Sequence, residues 1–185
     1  MSSVATSIAS PETILTFWRE AGPDKWFTRD DAFDADIREK FGATYEAAAA
    51  GQLSAWEASA EGALALAIVL DQFPRNMFRG QARCYAADSQ ARAVAHRALK
   101  RGYEQDVPEA ERGFFFLPFM HSEDMADQLR CVALYREAGD ENLRYAERHA
   151  DIIRRFGRFP HRNAVLGRAT TPEEQAYLDN DGFKG

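Results

Sequence analysis

The sequence is short of the residues that announce most kinds of site chemistry. Its two cysteines, Cys84 and Cys131, stand far apart inside helical patterns, with no CxxC or metal-ligand spacing. Reduced, buried thiols are expected, not a disulfide framework or a zinc site. The positions three residues before the four histidines are Ala93, Pro118, Ala146 and Arg158, so the Glu-x-x-His pattern of a di-metal helical bundle is missing. HExxH, GxSxG, a phosphate-binding P-loop and GxGxxG are absent as well, and no metal or cofactor is expected. Lys and Arg (23) are outnumbered by Asp and Glu (29), for a formal net charge of −6. That balance argues against nucleic acid, whose phosphates call for a basic excess. No apolar run reaches the roughly 18 residues of a membrane span. The opening residues carry neither a basic nor an apolar segment, and the first arginine is Arg19. No secretory or organelle signal is expected, and the location is read as cytoplasmic. No segment shows the alternation of a half-buried strand.

What is present is helix punctuation along nearly the whole chain. With 185 residues, one domain can bury roughly 70% of its unfolded surface without a staple. Residues 1–9 are small and polar and are expected to be disordered, 10–180 to form a single all-helical domain, and 181–185 a flexible tail. Ser10-Pro11-Glu12 combines an N-cap, a proline at the first helical position and an acid in the first turn; Gly22-Pro23 ends that helix. Phe33, Ile37, Phe41, Tyr45 and Ala48 recur at helical spacing after Asp30-Asp31, and Gly51 stops them. Ser59 caps a run, 63–70, that is apolar all round and therefore buried on every side; the helix is expected to end in Asp71-Gln72-Phe73-Pro74. Asp88 is expected to cap a fourth helix and Pro108 to open a fifth. Pro118 is expected to kink or end the apolar run 114–120. Ser122-Glu123-Asp124 is expected to start a helix with Met125, Leu129, Val132 and Ala133 as its inner stripe. A seventh helix runs from about Asp140 to Phe156, the segment 157–167 reads as a loop, and Thr171-Pro172-Glu173-Glu174 is a capping box. The expected fold is all-α: about eight helices in a layered, repeat-like array.

Three segments break local rules, and such places are candidates for function. In the first, Asp71, Gln72, Arg75 and Asn76 flank Phe73-Pro74. An acid at the end of an apolar helix opposes the helix dipole and the burial, so Asp71 is expected to pair with an arginine: Arg75, Arg158 or Arg162. In the second, His121 and Glu123 sit between a buried helix and an acidic one. Capping explains Ser122, Glu123 and Asp124 and leaves His121 unexplained. In the third, Arg158, His161, Arg162 and Asn163, followed by Arg168, lie beyond the helix whose end Arg154 and Arg155 complement. Arginine forks of this kind suit carboxylate or phosphate. A loose metal site of His121, Glu123, His149 and His161 stays open. His149, on an apolar face, reads better as a satisfied core histidine, and His96 as solvated.

The segments LDQFPRNMFRG (70–80), LPFMHSEDMADQ (117–128) and GRFPHRNAVLGR (157–168), with FW at 17–18 and TPEE at 171–174, together resemble the bacterial domain-of-unknown-function family 924. The resemblance spans about residues 12–180. It implies a tetratricopeptide-like helical fold and no established activity. It marks Asp71, Gln72, Pro74, Arg75, Asn76, His121, Ser122, Glu123, Arg158, Pro160, His161, Arg162 and Asn163 as hallmark positions.

Three readings are compatible with these residues. In the first, the chain is a binding module: Arg75, Arg158, Arg162 and Asn163, with Asp71, Gln72 and Asn76, form a pocket for an anionic small molecule or a peptide carboxylate. In the second it is a cofactor-independent or metal-assisted hydrolase or lyase. His121 or His161 is then the base, Glu123 or Asp71 its orienter, and the arginines stabilise developing charge. In the third, the motifs are internal struts of a structural or protein-interaction module, their polar groups satisfied by one another.

Overall fold

The computed structural model describes residues 7–180 and 182; the expectations for residues 1–6, 181 and 183–185 lie outside them. The described residues form nine α-helices, short 3-10 turns and no strand. They fall into two compact units: one up to residue 79 together with 83–118, the other 80–82 together with 119 onward.

In the first unit, α1 (Pro11–Ala21) starts as its sequence dictates, with the Ser10 hydroxyl accepting from the Thr13 N–H. Just before it, the Ala9 N–H donates to Thr44 Oγ1 at 2.9 Å. The helix stops at Gly22, whose φ of 74° lies in the left-handed region that only glycine adopts without strain. Pro23 does more than break the chain: it opens a four-residue helix, α2 (Pro23–Trp26). In α3 (Asp31–Ala49), Asp30 caps the N–H groups of Ala32 and Phe33. Phe33, Ile37, Phe41, Tyr45 and Ala48 are all buried, as their spacing predicts. Each large side chain among them contributes about 1.5–3 kcal/mol by leaving water. Helix α4 (Ala60–Met77), capped by Ser59, packs against α1, α3 and α5 (Asp88–Lys100).

Several expectations need correction in this unit. Helix α4 runs through Asp71-Gln72-Phe73-Pro74 to Met77 and does not end there. Proline costs one backbone bond and a steric clash, but Phe73 and Met77 are buried beyond the apolar run, and the Arg38 guanidinium caps the Met77 carbonyl at 2.7 and 3.2 Å. Asp71 is therefore inside a helix and not at its end, so the dipole argument does not apply to it. Asp88 does not cap α5 either; Ala87 occupies that position, and the Asp88 carboxylate has another partner. Pro108 leads only into a 3-10 turn (Glu109–Glu111), and α6 (Gly113–Met120) carries Pro118 without ending there.

The second unit contains the last two residues of α6, then α7 (Met125–Ala138), α8 (Leu143–Phe156) and α9 (Pro172–Asn180). Helix α7 packs on α8, and α9 lies against the 3-10 turn Pro160–Arg162. Ile152, Ile153 and Phe159 form the apolar centre, with Met125, Phe156 and Tyr177 against it. Asp124, not Ser122, is the N-cap of α7, accepting from the Ala126 N–H. The buried line of α7 is Gln128, Cys131 and Tyr135, while Leu129, one of the residues expected inside, is 55% exposed. A polar side chain sets this rotation. Gln128 is 0% exposed, and its amide donates to the carbonyls of Met120 and Ser122, both at 2.7 Å. Those carbonyls lie where the chain leaves α6, and buried acceptors must find donors. The capping box of α9 forms reciprocally: Glu174 N–H to Thr171 Oγ1, and Thr171 N–H to Glu174 Oε2.

Candidate functional site

The expected site residues fall in both units, and in each they are bonded into a charged lattice. In the first unit, Asp71, Gln72, Arg75 and Asn76 occupy the last two turns of α4. The Asp71 partner is Arg75, one turn on: Nη1 stands 3.4 Å from Asp71 Oδ1 and donates to the Asp71 carbonyl at 2.7 Å. The fork of Arg75 closes on Asp88, at 2.9 and 3.1 Å. Burial alone would lower the Arg75 pKa, but Asp71 and Asp88 outweigh it and hold the guanidinium above its ordinary value. Gln72 donates to Asp71 Oδ2 at 2.7 Å. Asn76 donates to Asp34 Oδ1 at 2.7 Å, and Arg79 clamps the same carboxylate at 2.9 and 3.1 Å.

In the second unit, Glu123 is the hub. Its oxygens take the Arg168 fork at 2.7 and 2.9 Å, and Oε1 also accepts from the Phe159 N–H at 2.8 Å. Burial by itself would raise the Glu123 carboxyl; Arg168 and the Phe159 amide outweigh it and hold it below its ordinary value. Glu123 thus does not serve as a helix-start acid; its oxygens answer Arg168 and the Phe159 amide. Glu174 takes the fork of Arg158 at 2.7 and 2.9 Å. That guanidinium, helped by the Thr171 amide, pulls the Glu174 carboxyl down to about 2. Asn163, 0% exposed, joins the two pairs: its amide donates to Glu174 Oε2, and its carbonyl oxygen accepts from Arg168.

The histidines lie around Phe159 and Arg162. Arg162 is buried, sits over the Phe159 ring at 4.6 Å and donates to the His121 carbonyl at 3.0 Å. His149 packs edge-on against Phe159, and its Nδ1–H donates to the Tyr145 carbonyl at 2.7 Å. It is a core histidine, as its helical position suggests. Burial lowers His149 to about 4, against the bond to the Tyr145 carbonyl, which favours the protonated form, and with smaller help from nearby His121 and Arg162. Burial, Arg162 and His149 lower His161 to about 3. A base that weak is a poor proton acceptor near neutral pH, where catalysis wants a pKa close to the working value. Among the described residues no three His, Cys, Asp or Glu side chains are placed to hold a metal ion. The loose quartet of His121, Glu123, His149 and His161 is therefore not assembled as ligands. The Glu123 oxygens are committed to Arg168 and the Phe159 amide.

Sequence reasoning missed the acids. Asp88 and Glu174 had sufficient local explanations as caps, and Asp34 sat on an ordinary helix. Arg168 was visible only as the end of an arginine-rich stretch. The available signal was the arginine excess itself: forks beyond a helix end need carboxylates. Two surface clefts contain none of the expected residues. One, of about 270 Å³, is lined by Arg155, Ala176, Tyr177 and Asn180; the other, of about 720 Å³, lies between α1 and α3.

The fold and these lattices define a class: an all-helical protein in which Arg75, Glu123 and Arg158 each pair with a charge elsewhere in their own unit. The chain belongs to the family described as bacterial proteins of unknown function, DUF924, whose model matches residues 14–182. It is also similar to a solved structure of a protein of unknown function from Agrobacterium tumefaciens. The two share 51% identity over 91% of this chain and 96% of that one, with a TM-score of 0.89. No curated protein matches the chain. Among the described residues no helix is long and apolar enough to cross a membrane.

Proposed function

We propose that the chain works as a structural or protein-interaction module in which the three motifs are internal struts. The observation that carries this reading is that three arginine forks are already closed on carboxylates. Arg75, Arg158 and Arg168 each give both edges of their fork to a carboxylate of their own unit: Asp88, Glu174 and Glu123. An arginine so engaged must break a charge-assisted pair before it can clamp a visiting anion. We place the protein in the cytoplasm, a reading supported by its two buried thiols, Cys84 and Cys131.

A second reading keeps the anionic small molecule or peptide carboxylate as ligand, at His161, Arg162 and His121. One observation favours it: Arg162 and Arg168 both disfavour protonation of His161, opposed by Glu123, so the local field leans positive. A thermal-shift screen with phosphate, acetate, citrate and a diglycine peptide separates the two. The strut reading expects no anion to stabilise wild type more than Arg162→Ala. A ligand present at 100 times its Kd adds about 2.7 kcal/mol. A stabilisation of that size in wild type, lost in Arg162→Ala, overturns the strut reading and establishes the anion site.

A further inference from the structure

Of the nine residues of α9, only Glu174 is buried; Tyr177 and Leu178 are half-buried and the other six are exposed. Helices shorter than about 12 residues are marginal in water, and most helical stability in proteins comes from packing an apolar face. Helix α8 has such a face, with Ala146, Ala150, Ile152 and Ile153 buried. In α9 the buried anchor is a carboxylate, so polar bonds carry most of its attachment.

Those bonds converge on the first turn. The Arg158 fork takes both Glu174 oxygens at 2.7 and 2.9 Å, and its Nη2 also donates to the Ala169 carbonyl at 2.7 Å. Asn163 donates to Glu174 Oε2 at 3.1 Å. Both partners belong to the stretch 157–163, which therefore grips the entry to α9. Ala169, Thr170 and Thr171, leading into the helix, are exposed. Farther along, Tyr177 rests on the Phe156 ring, centroids 5.1 Å apart, and packs against the cluster of Ile152, Ile153 and Phe159. The pair of Arg155 with Glu173 is exposed on both sides and contributes little.

We propose that α9 is a releasable latch: it detaches as one piece while α7 and α8 stay folded, and its release uncovers Phe156 and the Ile152, Ile153 and Phe159 cluster. Arg158 and Glu174 are the catch. Their ion pair must break for the helix to leave, whereas no apolar side chain of α9 has to leave a fully buried seat. Helix α8 cannot detach in this way without exposing Ile152 and Ile153. The inference rests on the strut reading for Arg158 alone, and makes that strut one that opens.

The test is native-state hydrogen exchange of the full chain, read for the amides of 176–180 and of 150–153 over a series of low urea concentrations. A local opening exposes little surface, so it depends weakly on urea, while opening of the whole unit depends on it steeply. In wild type, 176–180 should exchange at least about tenfold faster than 150–153, with little dependence on urea. Glu174→Gln removes the charge and keeps a side chain able to complete the capping box with Thr171. It should speed exchange in 176–180 a further 10- to 100-fold, on the order of the loss of a charge-assisted bond, and leave 150–153 unchanged. The wild-type urea series needs no variant, so it decides the matter even where Glu174→Gln fails to fold. Equal rates and equal urea dependence in the two segments of wild type overturn the latch and leave the strut reading standing. Acceleration spread evenly over α7, α8 and α9 in Glu174→Gln does the same. A Glu174→Gln variant that changes neither segment overturns the latch and the strut role of Arg158 together.

Discussion

Replacing Arg75 with alanine is the sharpest trial of the strut reading. Arg75 is the cation between two buried acids. It stands 3.4 Å from the Asp71 carboxylate, grips Asp88 with both edges at 2.9 and 3.1 Å, and donates to the Asp71 carbonyl. Asp71 is 1% exposed and Asp88 7%, so water cannot readily replace the guanidinium. Breaking one side of a buried ion pair costs about 3–5 kcal/mol, mostly as the penalty on the carboxylates left behind. For a chain of this size that corresponds to a drop in Tm of roughly 6–20 °C. The measurement is urea unfolding followed by circular dichroism, in a cycle of Arg75→Ala, Asp88→Ala and the double variant. A contact pair should show a coupling of about 0.5–3 kcal/mol, the double variant losing less than the sum of the singles. An Arg75→Ala variant within about 1 kcal/mol of wild type, or a strictly additive cycle, refutes the reasoning; the pair would then be no strut.

Gln128→Leu keeps the volume of a fully buried side chain but leaves the Met120 and Ser122 carbonyls without their donor. It should cost about 2–4 kcal/mol in urea unfolding, since each unsatisfied buried acceptor costs about 1–3. His149, at about 4 in the fold against 6.5 ordinarily, makes stability depend on pH. Between those values the unfolded chain binds the proton and the fold does not, so stability falls as pH drops from 6.5 toward 4. The loss from His149 amounts to about 3 kcal/mol, and His149→Gln should make this limb of a stability–pH curve shallower, leaving the part that His161 contributes over the same window. Glu174, pulled from 4.5 to about 2 by Arg158, stabilises the fold above its unfolded pKa. That contribution is lost as pH falls from 4.5 to about 2, so a Glu174→Gln variant should lose less stability across that window than wild type.

Much of the helical plan was legible because it is local. Ser10, Asp30 and Ser59 cap the N–H groups two or three residues on, and Gly22 and Gly157 stop helices through a positive φ. The reciprocal bonds of Thr171 and Glu174 span three residues. The face of α3 was readable because its large apolar residues recur every three or four positions. The face of α7 was not, because a buried glutamine turned it, and what Gln128 serves is a set of carbonyls at the end of another helix. The length of α4 was misread for a similar reason: Pro74 is a local signal to stop, while Arg38 and the buried Phe73 and Met77 are tertiary reasons to continue.

The same division runs through the candidate site. The residue types alone required that Asp71 find a cation, and that the arginines beyond α8 find carboxylates. Those needs belong to the side chains wherever they go. Helix packing chose the partners: Asp88 completes the grip on Arg75, and Glu123 and Glu174 answer Arg168 and Arg158. Packing also holds His149 and His161 neutral against Phe159 and Arg162. Charge pairing and burial depend on distances between residues far apart in the chain, and those distances exist only once the helices have packed.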